Sequence, residues 1–529
     1  MADSVLTNHS LSQEGAGPKV MEQLRAMLQI RVVQLSALTV LLAGVGAIAM
    51  LLKFSVLDVD LWWHLKVGDW IVEHAAVPHT GILSRSAASR PWVAYSWGYE
   101  VLLSRAYAWF GLIGIGVFGT LLTVAVAYSA YWMLLRLSGR LWVACLGAGV
   151  TCSAFLFNGM PRPFFFSIIL FAVTITLLLE ANRTGRVETL YWLPPIFLLW
   201  VNLHIQFIYG LFPIGVLFAV SVRYELLKRL GKEPGFVLAP RLPAAKLGVI
   251  FAACILATLI GPNTYHPYVS VYEYSQAKFP YKVIIELQPL SFRGYSHYAE
   301  LLIAGAAFFA LGWQKKMDVF KLMLLSVAAV VAFRTMRDAW FLSITAAACI
   351  ADSLAWYRNE AATGEIGKSE DLSPIRMRWR ERRVWLEAAG VSAALLVLLL
   401  MSASATDFTE RGMDRAISSD YPVNAINFLR RNPVPGPLYN NLNWGGFLMW
   451  YMPDYPVVVD GRNDLYGDEL DKLFYGTQNA DNSYKTDPYL NESGVVLLDS
   501  TLPLAKVLTV DPRFQLIYHD EIATVFARR

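Results

Sequence analysis

The sequence predicts a polytopic α-helical membrane protein of about eleven spans, followed by a small α/β domain outside the membrane. Three observations carry this. Of 529 residues, 56% are hydrophobic and only 16% charged, where a soluble chain carries about a quarter. Apolar runs near the ~20 residues that cross a bilayer recur from residue 33 to residue 402. Beyond 402 they stop, and short alternating segments with turn residues replace them. A net charge of +4 is too small to point to a nucleic-acid partner, so the lipid bilayer is the partner the composition implies. Cys145, Cys152, Cys254 and Cys349 lie in apolar stretches without metal-ligand spacing and read as small buried hydrophobes.

Residues 1–32 are polar and lead into the first apolar run without a small-residue cleavage site. They read as a cytoplasmic tail, and the first helix as a retained anchor. The spans of the 33–402 membrane domain fall near 33–54, 112–135, 141–157, 164–180, 190–203, 206–222, 246–262, 298–313, 320–333, 339–356 and 384–402. With the N-terminus inside, the inner connections hold 20 Lys and Arg and the longer outer set 10, the asymmetry that orients membrane proteins. An odd number of spans leaves 403–529 outside. The first outer loop, 55–111, carries Trp63, Val67, Trp70, Ile71 and His74 at helical spacing, which predicts an amphipathic helix in the outer headgroup region. The basic run Arg376–Arg383 reads as a topology anchor beside anionic lipid. In 403–529 the patterns predict helices over Tyr421–Arg431, Asp468–Tyr475 and Leu504–Thr509. Strands are expected at Pro437–Tyr439, Val457–Val459 and Val495–Leu498, with a hairpin from Phe514–Tyr518 to Ile522–Phe526.

The chemistry gathers on the outer side. Asp58 and Asp60, in Leu57-Asp58-Val59-Asp60-Leu61-Trp62-Trp63-His64, sit just past the first span. Carboxylates there are costly unless they face water, a cation or a substrate. On an extended segment, residues i and i+2 point the same way. One carboxylate then accepts a proton from an attacking hydroxyl while the other orients it or binds a divalent cation such as Mg or Mn. The plainer reading of the pair is helix-end solvation. Arg162, Arg334 and Arg337 stand in short outer turns, where the charge rule disfavours them. One alone reads as snorkelling; three opposite an acid pair suit a phosphate, which guanidinium binds bidentately. His64, Asn202, His204 and Glu286 are further candidates for substrate contact, each with an ordinary structural alternative. In the outer domain, Asp460 and Arg462 follow an expected strand and are candidate ligands, with a surface ion pair in a tight turn as the commoner alternative.

These residues resemble a family. The first-loop run with Gly68 and Trp70, Arg162-Pro163 before an aromatic run, Trp200-Val201-Asn202-Leu203-His204 and Glu286-Leu287-Gln288-Pro289 are similar to bacterial proteins of the GT-C glycosyltransferase superfamily. Asn443-Trp444-Gly445-Gly446 and Val459-Asp460-Gly461-Arg462 extend the likeness into the outer domain. The resemblance implies inverting transfer of a sugar from a polyprenyl-phosphate carrier to a glycan, lipid or protein acceptor, on the outer face of a bacterial inner membrane. Asp58 or Asp60 would be the base, the other its helper or a metal ligand, and the arginines would hold the lipid phosphate. Two other readings stand beside it: a transporter of a lipid-linked glycan, and a scaffold whose outer domain binds a partner.

Overall fold

The computed structural model describes residues 31–155, 160–232, 234–364 and 382–529. The expected tail up to residue 30 and most of the basic run 376–383 lie outside the described residues. Each apolar run forms a helix: Arg31–Leu52, Trp97–Ser138, Leu141–Phe155, Phe164–Thr184, Leu193–Leu203, Phe207–Arg229, Ala244–Thr258, Tyr295–Gly312, Val319–Arg334, Ala339–Gly364 and Arg382–Ala405. Six stretches among the described residues are long and apolar enough to cross a membrane: Arg31–Leu57, Trp97–Ser138, Phe164–Thr184, Phe207–Arg229, Met336–Ala355 and Leu386–Ala405. Others are short. Leu193–Leu203 has 11 residues and rises only about 16 Å, too little to cross alone. The helix Trp97–Ser138 is broken at Gly111, whose φ of 59° only glycine adopts freely.

Ion pairs lock one end of the bundle. Arg136 grips Glu180 at 2.7 Å, and Arg183 meets Asp352 at 3.2 Å. Lys321 is held between Asp318 at 3.2 Å and Asp352 at 2.6 Å. Arg162 immediately precedes the other end of the helix Phe164–Thr184, whose 21 residues separate the two clusters by about 30 Å.

The C-terminal region contains a small mixed sheet with helices around it. Its strands are β1 (Leu438–Asn440), β2 (Val495–Asp499), β3 (Phe514–His519) and β4 (Ala523–Arg528). The order is β1-β2-β4-β3; β1 and β2 are parallel, and the other pairs antiparallel. Val457–Val459, expected as a strand, forms none. Instead its backbone is taken up from two sides. Arg85 N donates to Val457 O (2.8 Å) and Ser84 Oγ to Val458 O (3.2 Å), while Asn440 bonds Val458 N and Val459 O, both at 2.8 Å. With its polar groups met by one backbone bridge to Ser84 and by side chains, this buried apolar run needs no longer ladder.

The first-loop helix is present as Leu61–His74. Of the expected face, Trp63, Val67 and Ile71 are buried, Trp70 is half-buried and His74 is exposed; Trp62 is buried as well. The helix packs between the start of Trp97–Ser138 and the helix Gly445–Tyr451, with Trp62 edge-on to Tyr421, Phe447 and Tyr451. The C-terminal region supplies an apolar partner for the buried part of this helix.

Candidate active site

Asp58 and Asp60 converge, though not through extended backbone. A short helix, Phe54–Leu57, precedes them; Asp58 is extended (φ −68°, ψ 122°) and Asp60 helical (φ −82°, ψ −20°). Asp60 N donates to Asp58 Oδ1 (3.1 Å), an aspartate-led turn of the kind these side chains favour. The turn, rather than strand alternation, points both carboxylates at Arg162.

Arg162 is the hub. Its Nε and one terminal nitrogen donate to the two Asp58 oxygens at 2.8 and 2.7 Å. Its other terminal nitrogen lies 2.9 Å from Asp60 Oδ2 and 3.4 Å from Glu286 Oε1. Arg337 pairs with the same Glu286 oxygen, and Met336 N donates to Gln288 O (3.0 Å), tying that loop to the Met336–Asp338 turn. Trp63 Nε1 donates to the remaining Asp60 oxygen at 3.0 Å. Burial raises the Asp60 carboxyl from the ordinary 3.8 to about 6; Arg162 opposes the rise, and the Asp58 charge adds to it. Burial alone would also raise Glu286, but Arg337 and Arg162 outweigh it and hold that carboxyl below the ordinary glutamate value.

Asp60, Arg162, Glu286 and Arg337 open onto one cavity of ≈ 740 Å³, within the size range of ligand sites. Asp58 is buried behind them. One wall is apolar, with Met160, Phe164, Val283, Ile284 and Trp340; another comes from the C-terminal region, with Asn443, Gly461, Asn463, Asp471 and Tyr475. At Gly461 a Cβ would collide with Asp60 Oδ1, so the Asp-Gly-Arg motif marks where one backbone meets the acid pair. The sequence carried that signal, a lone glycine beside charged residues, but not which partner it approached. Asp471 was missed because a single aspartate in a helical stretch looks like surface.

Other candidates fall elsewhere. His64 is buried against Glu100 (Nδ1···Oε1 3.0 Å), away from the cavity lining. Asn202 accepts from Trp97 Nε1 (3.0 Å) and donates to Leu198 O and Ile260 O, joining three segments. His204 meets Ser167 Oγ at 2.9 Å, which also accepts from Trp200 Nε1. Arg334 lies over the Tyr281 ring, 5.5 Å from its centroid. These four are held by structural partners outside the cavity lining. Asp460 and Arg462 do pair, at 2.8 and 2.9 Å, but wholly buried rather than at the surface; Tyr466 bonds Asp460 and Ile82 O accepts from Arg462, whose Nη1 is left without a partner. No lone pair there faces a ligand.

A divalent cation at the aspartates does not fit these residues. The space that an ion would take between Asp58, Asp60 and Glu286 holds the Arg162 guanidinium, bound to all three. Among the described residues no group of three or more His, Cys, Asp or Glu can hold a metal ion.

No family model and no curated protein matches the sequence. Solved structures do. The oligosaccharyltransferase of Archaeoglobus fulgidus tethered to an acceptor peptide has a TM-score of 0.52 and 10% identity, over 89% of this chain and 69% of that one. Its apo form gives 0.51 and 12%, over 89% and 70%. ArnT of Cupriavidus metallidurans bound to undecaprenyl phosphate scores 0.42 at 14% identity, over 92% and 97%. Below 15% identity such likeness speaks of architecture alone, and the architecture agrees over nearly nine-tenths of the chain. This chain has the fold of the Archaeoglobus fulgidus oligosaccharyltransferase.

Proposed function

We infer that the chain transfers a glycosyl group from a polyprenyl-phosphate carrier to an acceptor on the outer face of the membrane, with inversion. The carrying observation is one cavity that combines an apolar wall, two guanidiniums and a carboxylate with a raised pKa. Asp60, which lines the cavity, is the base. Asp58, gripped by Arg162 at both oxygens and buried, positions Arg162. Asp60 takes the acceptor proton as the acceptor atom attacks the anomeric carbon. The bond from that carbon to the phosphate oxygen breaks on the opposite side, and the carrier phosphate leaves with the electron pair. Arg337 stabilises that charge. Glu286, now on Arg337, holds the place of the anion and yields it when the phosphate arrives. The apolar wall takes the first isoprene units. The scheme supposes that 403–529 lies outside, the side that the loop charges favour.

The test is turnover of lipid-linked sugars by the purified full chain. Arg337→Gln should raise the KM for the lipid donor roughly 10- to 100-fold, the worth of a charge-assisted bond to phosphate. No transfer from any of a panel of polyprenyl-phosphate sugars, or an unaltered KM in the variant, overturns the reading.

The pH profile gives a second check. Asp60 acts as a base only when ionised, so kcat/KM should fall as pH drops through about 6. Trp63→Phe removes the hydrogen bond that favours the ionised form and should shift this limb to higher pH. Stability has the opposite sense. Because the folded value lies above the ordinary 3.8, this carboxyl favours the fold at low pH, and the contribution is lost as pH rises between 3.8 and about 6. A limb that ignores Trp63→Phe excludes Asp60 as its source.

A further inference from the structure

The cavity has an end that the transfer scheme leaves unused. Asp471, on the helix Asn463–Gln478, is 4% exposed, and neither carboxylate oxygen has a hydrogen-bond partner. Native structures seldom leave a buried carboxyl so, because its lost hydration goes uncompensated. Asp471 also lines the cavity, on the wall that Asn443, Asn463 and Tyr475 share. The missing partner is therefore something the cavity receives.

The chemistry of this wall narrows what that is. Both cationic lining residues, Arg162 and Arg337, belong to the acid–guanidinium cluster, so an anion is served there and finds no cation of its own at Asp471. A carboxyl beside two primary amides offers donors and acceptors at short intervals, the pattern that vicinal hydroxyls satisfy. Tyr475, 43% exposed at the rim, adds an aromatic face. Burial, with the neighbouring acids adding to it, pushes the Asp471 carboxyl up to about 8. At neutral pH it mostly keeps its proton, so it donates as well as accepts. We propose that Asp471, with Asn443 and Asn463, is a carbohydrate subsite that binds sugar hydroxyls at the far end of the phosphate cavity. It rests on the reading of the cavity as a lipid-phosphate sugar site, and it supplies what that reading lacked, a place for the sugar of donor or acceptor.

The two ends can be read separately in the full chain in detergent. Saturation-transfer NMR with free glucose, mannose and N-acetylglucosamine reports the hydroxyl end, and titration with undecaprenyl phosphate reports the guanidinium end. At least one sugar should bind saturably. Asp471→Leu should weaken it at least tenfold, leave undecaprenyl phosphate binding unchanged, and keep or raise the thermal midpoint, since an unpartnered acid contributes nothing to packing. Asn443→Ala, a milder change, should weaken the sugar several-fold. Undecaprenyl-phosphate-glucose separates the sources: displacement of the free sugar marks a donor subsite, and persistence marks an acceptor subsite. No sugar signal in the native chain, a signal indifferent to both variants, or a lowered midpoint in Asp471→Leu overturns the subsite. Failure of the native chain to bind undecaprenyl phosphate, with the sugar still bound, would instead strike the transfer reading and spare this one.

Discussion

Asparagine in place of Asp60 is expected to lower sugar transfer by about 10²- to 10⁴-fold, the usual worth of a general base, without lowering the thermal midpoint. The two halves of this expectation come from one geometry. Asparagine keeps an oxygen for Trp63 Nε1 and removes a charge that burial disfavours. Asp58→Asn should behave differently. It breaks the two-pronged grip on Arg162 in a buried setting, where loss of one partner costs about 3–5 kcal/mol. Midpoint and turnover measured on both variants separate base from support. Full turnover in Asp60→Asn would remove the catalytic assignment, and an undisturbed midpoint in Asp58→Asn would remove the structural one.

Arg162→Gln is expected to have the largest effect on the fold. Three carboxylates, Asp58, Asp60 and Glu286, turn toward this one guanidinium. Without it they repel one another in a site with little water, again about 3–5 kcal/mol. The vacated space would be an oxygen-lined pocket of the kind that Mn²⁺ and Mg²⁺ select. The variant should therefore gain Mn²⁺ binding by electron paramagnetic resonance, and Mn²⁺ should restore part of its midpoint. The native chain should show neither effect. Native binding of Mn²⁺ at this site would refute the view that the guanidinium fills the cation's place.

The membrane part was legible because its rules are local. Each apolar run became a helix, and the expected run from 112 begins directly after the break at Gly111. Of the acid pair and three arginines expected around one ligand, Asp58, Asp60, Arg162 and Arg337 meet, joined by Glu286, while Arg334 lies over Tyr281 instead. What sequence could not supply was partnership over long separations. Asn202 and His204 carry the same letters whether they meet a substrate or Trp97 and Ser167. The tryptophan face of Leu61–His74 reads alike toward lipid and toward Phe447. Asp460 and Arg462 announced a pair but not its burial. Asp471 had no periodic or compositional mark, because its meaning lies in the bonds that it does not make.

The contact of Gly461 with Asp60 also sets the order of events during synthesis. The ribosome delivers the acid near residue 60 early, and the glycine that walls it some 400 positions later. Until that last stretch has folded and docked, the acid has no roof, and the cavity lacks a side. A chain still being made, or cut before Gly461, therefore has its aspartates without the wall that this stretch supplies.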